Sequence, residues 1–312
     1  MAGPVLSIRE LRTYVLDQEK PVKAVDGVTL DLSAGETLCL VGESGCGKTM
    51  LALSIGGLLP PAARVVSGSV RFEGRAGYVF QDSLNTLNPV MTIGEQLREP
   101  LQLHQNLHGR EARSRAVQLL EQVQIPLAAQ RLRQYPHQLS GGMRQRVVIA
   151  MALACKPSLL IADEPTTAMD VTTQHEILLL MRQLQRELSM AVLLITHDLT
   201  AVAPVSDRTA VMYAGRIVET APTRQLLSQA SHPYTQALLR CIPKPGTGHP
   251  VLQSIPGSVP DLRFTPSGCP FYPRCSERVG RCDKEEPRLR PLASEPAGNQ
   301  FVSCWARETT DG

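Results

Sequence analysis

Gly42-Glu43-Ser44-Gly45-Cys46-Gly47-Lys48-Thr49 is the stretch best equipped for chemistry. An apolar run, Thr37 to Val41, precedes it and reads as a buried strand; Met50 to Ile55 follows and reads as the start of a helix. Strand, glycine-rich loop and helix, in that order, are the context of a phosphate-binding loop. The glycines let the backbone turn its N–H groups toward a phosphate, and the helix N-terminus adds partial positive charge. Gly42, Gly45 and Gly47 would make the turns around Ser44, Lys48 would reach the β- and γ-phosphates, and the Thr49 hydroxyl would bind Mg²⁺. An ordinary glycine loop is the competing reading of these residues taken alone. Cys46 lies in the same cradle: either the helix end lowers its thiol pKa and makes it reactive, or it is a buried inert thiol.

Further groups complete a phosphoryl-transfer set. Leu159 to Ala162 is an apolar strand ending in Asp163 and Glu164. Asp163 is placed to hold the Mg²⁺ bound by Thr49, and Glu164 to polarise a water in line with the γ-phosphate. Gln81 ends a strand over Gly77–Phe80, where a glutamine can touch Mg²⁺ and the attacking water or be a plain strand-end polar residue. Leu139-Ser140-Gly141-Gly142 opens a helix for which Ser140 is a fitting N-cap. Two glycines in a first turn cost roughly 1 kcal/mol each, so Gly141 and Gly142 suggest close approach of a ligand. His197 follows the buried strand Ala191–Ile195, and Asp170 follows the acidic strand. Tyr14 either stacks on an adenine face or packs on the core; Val15 is the other position that could fill the stacking role.

The elements that must position these groups read as an α/β chain. Residues 5–12 and 28–32 form short strands of a small antiparallel layer, joined by a polar stretch around Asp17 to Lys20, and Gly68–Glu73 alternates as a strand should. The stretch Asp82–Pro89 reads as a loop. Residues of about 90–157 form a helical insertion, with Ala116, Leu119, Leu120 and Val123 at helical spacing. A helix then carries Ile177, Leu180, Met181, Leu184 and Leu188. A hairpin over 208–219 and helices at Thr223–Gln229 and Pro233–Cys241 close the core. Eleven of the 24 prolines lie between Pro243 and Pro296, which puts a boundary near 242 and divides the chain into a domain over 1–242 and a tail over 243–312.

Composition narrows the function classes. No run approaches the ~18 consecutive apolar residues of a membrane span, and the N-terminus lacks the apolar core of a signal peptide, so a cytosolic location is expected. The net charge of +3 is weak, and the tail from Asp261 has eight basic and eight acidic residues, so no electrostatic footprint for nucleic acid is present. Four of the eight cysteines, Cys269, Cys275, Cys282 and Cys304, crowd into the tail. In a reducing cytosol such a group suggests a metal or iron–sulfur site, with spacing looser than a zinc ribbon; zinc, iron–sulfur and free or disulfide-bonded thiols stay open.

The glycine loop, Gln81, LSGGMRQR (139–146), LLIADEP (159–165), the Asp170 loop and His197, in this order over roughly residues 5–240, resemble the nucleotide-binding subunit of an ABC transporter. The resemblance implies a P-loop NTPase (RecA-like) core with an antiparallel β layer and a helical insertion. It implies ATP and Mg²⁺ as cofactors and a head-to-tail pair of subunits. The Ser140, Gly141 and Gly142 of one subunit would cap the ATP held by another, and Asp170 would bridge the two. Glu164 would be the general base, His197 would contact the γ-phosphate, and Gln81 would sense it. Tyr135-Pro136-His137-Gln138, the run at 24–28, His232-Pro233-Tyr234-Thr235 and the cysteine tail are similar to the oligopeptide/dipeptide/nickel importers. That similarity favours a [4Fe–4S] cluster on the four tail cysteines. It implies peripheral attachment at the cytoplasmic face of the inner membrane, two permease subunits, a second ATP-binding subunit and, indirectly, a substrate-binding protein. The expected function is ATP-driven peptide import, with nickel or another small solute as the alternative cargo and a soluble, non-transport ABC ATPase as the alternative class. The chain departs from the pattern in a short Gly74–Gly77 segment and in Cys46 and Met169, where serine and leucine are common.

Overall fold

The computed structural model describes residues 3–16, 19–81, 86–242, 254–264, 266–292 and 298–307. The polar stretch at Asp17, the start of the loop read from Asp82 and the first prolines of the tail lie outside these residues. In chain order the elements are β1 (Leu6–Val15), β2 (Val22–Leu32), β3 (Thr37–Val41), α1 (Lys48–Gly56), β4 (Ala63–Phe72) and β5 (Ala76–Val79). The insertion follows with α2 (Ile93–Gln105), α3 (Gly109–Gln122), α4 (Ala128–Arg131) and α5 (Gly141–Leu153). Then come β6 (Leu159–Asp163), α6 (Val171–Leu188), β7 (Ala191–Thr196), α7 (Leu199–Val202), β8 (Arg208–Tyr213), β9 (Arg216–Pro222), α8 (Thr223–Gln229) and α9 (Pro233–Arg240). The tail contributes β10 (Arg290–Pro291) and β11 (Phe301–Val302).

The chain divides into two compact units. One takes the segment up to Leu6, Leu32–Thr37 and Phe72–Ile195; the other takes Ser7–Asp31, Leu38–Arg71 and the chain from Thr196 onward. In the first unit β5, β6 and β7 are parallel neighbours, with β6 in the middle. Every residue of β6 and β7 is buried, and both read as unbroken apolar runs, as burial on two faces requires. The insertion packs through the stripe expected of it: Ala116, Leu119, Leu120 and Val123 are all buried. Its helix α2 starts on a capping box in which Glu95 N–H donates to the Thr92 hydroxyl and Thr92 N–H donates to the Glu95 carboxylate.

In the second unit β1 lies between β2 and β4. Strand β2 begins six residues earlier than the 28–32 expected from sequence. Asp26 is buried in the added part of the strand, and its carboxylate accepts from Arg12 at 3.1 Å, Arg216 at 2.6 Å and Tyr14 at 3.0 Å. Charge pairing holds a polar residue inside a strand that pattern alone would have ended. Separately, β3 pairs in parallel with β8, β8 pairs antiparallel with β9 through Ala214-Gly215, and β11 adds to the free side of β9. The tail is therefore stitched to this unit by backbone. A buried carboxylate reinforces the seam: Glu219 accepts from Ser231 N–H, His232 N–H and the Gln300 amide.

Candidate functional site

In the second unit the phosphate-binding loop joins β3, whose five residues are all buried, to α1. Gly47 is the N-cap of α1 at φ 107, and a Cβ there would collide with the Ala24 carbonyl oxygen. A Cβ on Gly42 would collide with the Met212 carbonyl. With a glycine cap, no side chain takes the first N–H groups of α1, and they are left for a ligand. Lys48 is 6% exposed and its ammonium donates to the carbonyl oxygens of Gly42 at 2.9 Å and Glu43 at 3.0 Å. Ser44, Gly45 and Thr49 are exposed.

Of the two readings of Cys46, the structure favours the buried, inert thiol. Its side chain is wholly buried, and burial pushes the thiol up, outweighing the pull of Lys48. The helix end does not make it a reactive thiolate. Maleimide labelling of the native chain at pH 8, read by peptide mass spectrometry, should leave Cys46 unmodified with or without ATP; fast labelling blocked by ATP would overturn this.

Other expected groups of this unit sit as follows. His197 is exposed at the turn after β7, next to Asp198. Asp198 caps α7 by accepting from Thr200 and Ala201 N–H. Tyr14, near the end of β1, is half-buried with its hydroxyl committed to Asp26. Two residues that sequence reading used only as family marks touch the loop. The Tyr234 hydroxyl accepts from Glu43 N–H at 2.9 Å, and Arg274 grips the Glu43 carboxylate at 2.8 and 3.0 Å.

The first unit gathers Gln81, Asp163, Glu164, Asp170 and the 140–142 turn. Asp163 ends β6, 3% exposed, with the Tyr78 hydroxyl 3.5 Å from its carboxylate. Glu164 follows at φ 47, in the left-handed region that a non-glycine residue adopts only where its surroundings hold it there. Its Oε2 accepts from the Gln81 amide at 3.1 Å and the Thr167 hydroxyl at 3.0 Å. Gln81 thus holds the Glu164 carboxylate by a side-chain hydrogen bond. Ser140 caps α5 by accepting from Met143 N–H, and Ser140 and Gly141 are exposed. A Cβ on Gly142 would lie 2.8 Å from the Thr173 methyl. Thr173 also donates, through N–H and hydroxyl, to Asp170, which caps α6; those bonds hold the Asp170 carboxyl below its usual range. One threonine therefore ties the Asp170 loop to the glycine turn.

The four tail cysteines lie within electrostatic reach of one another. Burial first, then the neighbouring thiols, push Cys269 and Cys304 up to about 11 and raise Cys275. Backbone N–H groups of Glu277 and Val279 point at the Cys275 and Cys282 sulfurs. Among the described residues, however, no group of three or more His, Cys, Asp or Glu side chains is arranged to hold a metal ion, so the iron–sulfur expectation is not supported by the geometry.

Residues 25–167 match the ABC transporter family, and residues 218–282 match the oligopeptide/dipeptide transporter C-terminal region. The dipeptide transport ATP-binding protein DppD of Bacillus subtilis (strain 168) is 44% identical over 97% of this chain and 95% of its own length. The chain belongs to the ABC transporter ATP-binding proteins. This ABC subunit is also 44% identical to the oligopeptide transport ATP-binding protein AppD of the same organism, over 91% of this chain and 92% of that one. A dimeric ATP-binding cassette solved in a post-hydrolysis state with ADP and Pi aligns at a TM-score of 0.62 and 27% identity, covering 70% of this chain and 99% of that chain. The ABC subunit is an ATPase of α/β fold that works with other transporter components. No helix among its described residues is long and apolar enough to cross a membrane.

Proposed function

We propose that this ABC ATPase powers the import of di- and oligopeptides, working at the cytoplasmic face of the membrane with two permease subunits, a second ATP-binding subunit and a substrate-binding protein. The observation that carries the cargo is the 44% identity, over nearly the whole chain, to a relative named for dipeptide transport. In this reading Lys48 and the loop amides bind the phosphates, Thr49 and Asp163 take Mg²⁺, Glu164 activates water, and Gln81 and His197 attend the γ-phosphate. Ser140, Gly141 and Gly142 cap a nucleotide on the partner subunit, and Asp170 serves the subunit boundary. The division into 1–242 and 243–312 belongs to the same reading. ATP-dependent uptake of a labelled dipeptide into vesicles carrying the chain and its permeases is the test. ATP-driven nickel uptake with no peptide uptake would replace the cargo; ATPase activity stimulated by ribosomes or DNA and not by permeases would replace the class.

A [4Fe–4S] cluster on Cys269, Cys275, Cys282 and Cys304 is carried by the family resemblance of the tail alone, since the four side chains as they stand are not arranged to hold a metal ion. Cys269, Cys275 and Cys304, whose thiols are raised by burial and by neighbouring thiols, are donors that a cationic cluster would relieve, and N–H groups directed at the Cys275 and Cys282 sulfurs suit such ligands. A cluster would order a proline-rich tail and supply no chemistry to hydrolysis. Anaerobic purification with iron, sulfide and zinc analysis decides it; a folded tail free of iron excludes the cluster.

A further inference from the structure

We infer that Arg274, in the tail, is a positioning residue for the phosphate-binding loop, cancelling and restraining the carboxylate of Glu43. The inference rests on the ATP reading of that loop. Glu43 is the one acidic residue between Gly42 and Thr49. A carboxylate in a loop built to receive phosphates opposes the ligand unless its charge is met. Arg274 meets it with a two-pronged pair, Nη1 to Oε2 at 2.8 Å and Nη2 to Oε1 at 3.0 Å. The guanidinium is 4% exposed and Glu43 is 28% exposed, so solvent screens the pair little on the arginine side.

Arg274 is itself held in place. Its Nε donates to the Pro256 carbonyl at 2.8 Å, and Nη2 also donates to the Ile255 carbonyl at 3.3 Å. The short turn Tyr272–Arg274 presents it, directly before Cys275. Phe271, 2% exposed, packs edge-on against Tyr213 at 5.3 Å and lies 5.3 Å from Tyr234. Tyr234 supplies the hydroxyl that receives Glu43 N–H. Glu43 is thus fixed at its N–H by Tyr234, at its carboxylate by Arg274, and at its carbonyl by Lys48. The tail reaches the nucleotide loop directly through one of those three holds, Arg274, and packs through Phe271 against a second, Tyr234; a fork geometry with a fixed charge is what arginine offers there.

Equilibrium binding of ATP to the purified full chain tests this, with melting temperature recorded for each variant. R274Q keeps length and polarity and removes the charge; it should weaken ATP about tenfold. R274K, which keeps the charge and loses the fork, should recover only part of that loss, whereas R274Q/E43Q should restore binding to within about threefold of wild type, because deleting the opposed carboxylate removes the conflict. Turnover at saturating ATP, measured with the partner subunits, should stay within about twofold, so that KM moves and kcat does not. An R274Q chain that binds ATP within twofold of wild type, or an R274Q/E43Q chain no tighter than R274Q, overturns the inference. Should R274Q not fold, E43Q alone decides: binding within threefold of wild type is expected, and a tenfold loss overturns the inference. A wild-type chain that does not bind ATP at all defeats the ATP reading instead, and is recognised as such before any variant is compared.

Discussion

Glu164→Gln is expected to slow ATP turnover by about 10²- to 10⁴-fold while ATP still binds. The geometry of the side chain suits the proposed base. Its backbone is left-handed at φ 47, its N–H donates to the Ile195 carbonyl at 2.9 Å, and both Gln81 and Thr167 donate to one carboxylate oxygen. Glutamine has the same length, so the backbone constraint survives. What changes is the chemistry. An amide cannot take a proton from water, and it carries no charge to polarise one. The loss of negative charge near a nucleotide should favour retention of ATP. The measurement pairs phosphate release with filter retention of labelled ATP, using the chain assembled with its partners. Turnover above one-tenth of wild type would remove Glu164 from the role of base. Gln81→Ala should slow turnover less, because Thr167 still holds the same oxygen.

Strands that carry chemistry were legible because burial on both faces writes itself as an apolar run with a polar break at its end. β3 ends at the glycine loop and β6 at Asp163, and both boundaries were readable to within a residue. The stripe of α3 was legible for the complementary reason, a helix period on a polar background. Elsewhere the pattern was overridden by partners distant in sequence. The strand expected over 28–32 starts at Val22 because Arg12 and Arg216 neutralise the buried Asp26. Cys46 is open from its local position between a reactive and a buried inert thiol, and its burial decides for the second. β11 has two residues and no periodicity to detect; only its pairing with Thr220 and Glu219 makes it a strand. Tyr234 and Arg274 lie 191 and 231 residues from Glu43, so no spacing rule could have joined them to the loop. Local motifs name the groups that touch a ligand, whereas the groups that steady those motifs come from anywhere in the chain.

Lys48→Ala is expected to weaken ATP binding by about 100-fold, or about 2.7 kcal/mol, and to abolish turnover with it. The ammonium has been stripped of most of its water by the fold, at 6% exposure, and spends its hydrogen bonds on the Gly42 and Glu43 carbonyls. It therefore braces the loop from inside. In the proposed role, those bonds would be exchanged for stronger, charge-assisted ones to phosphate oxygens without a further large desolvation cost. Alanine removes both the brace and the charge, and leaves the loop's one carboxylate dependent on Arg274 alone. Lys48→Arg should not rescue: the wider planar fork does not fit where a single ammonium lies between two carbonyls in a glycine-walled cradle. Titration calorimetry on the full chain, with circular dichroism to show that α1 and the strands persist, checks the claim. A Lys48→Ala chain that binds ATP within fivefold of wild type would show that the loop amides and helix end suffice, and that Lys48 serves the architecture of the empty loop rather than the nucleotide.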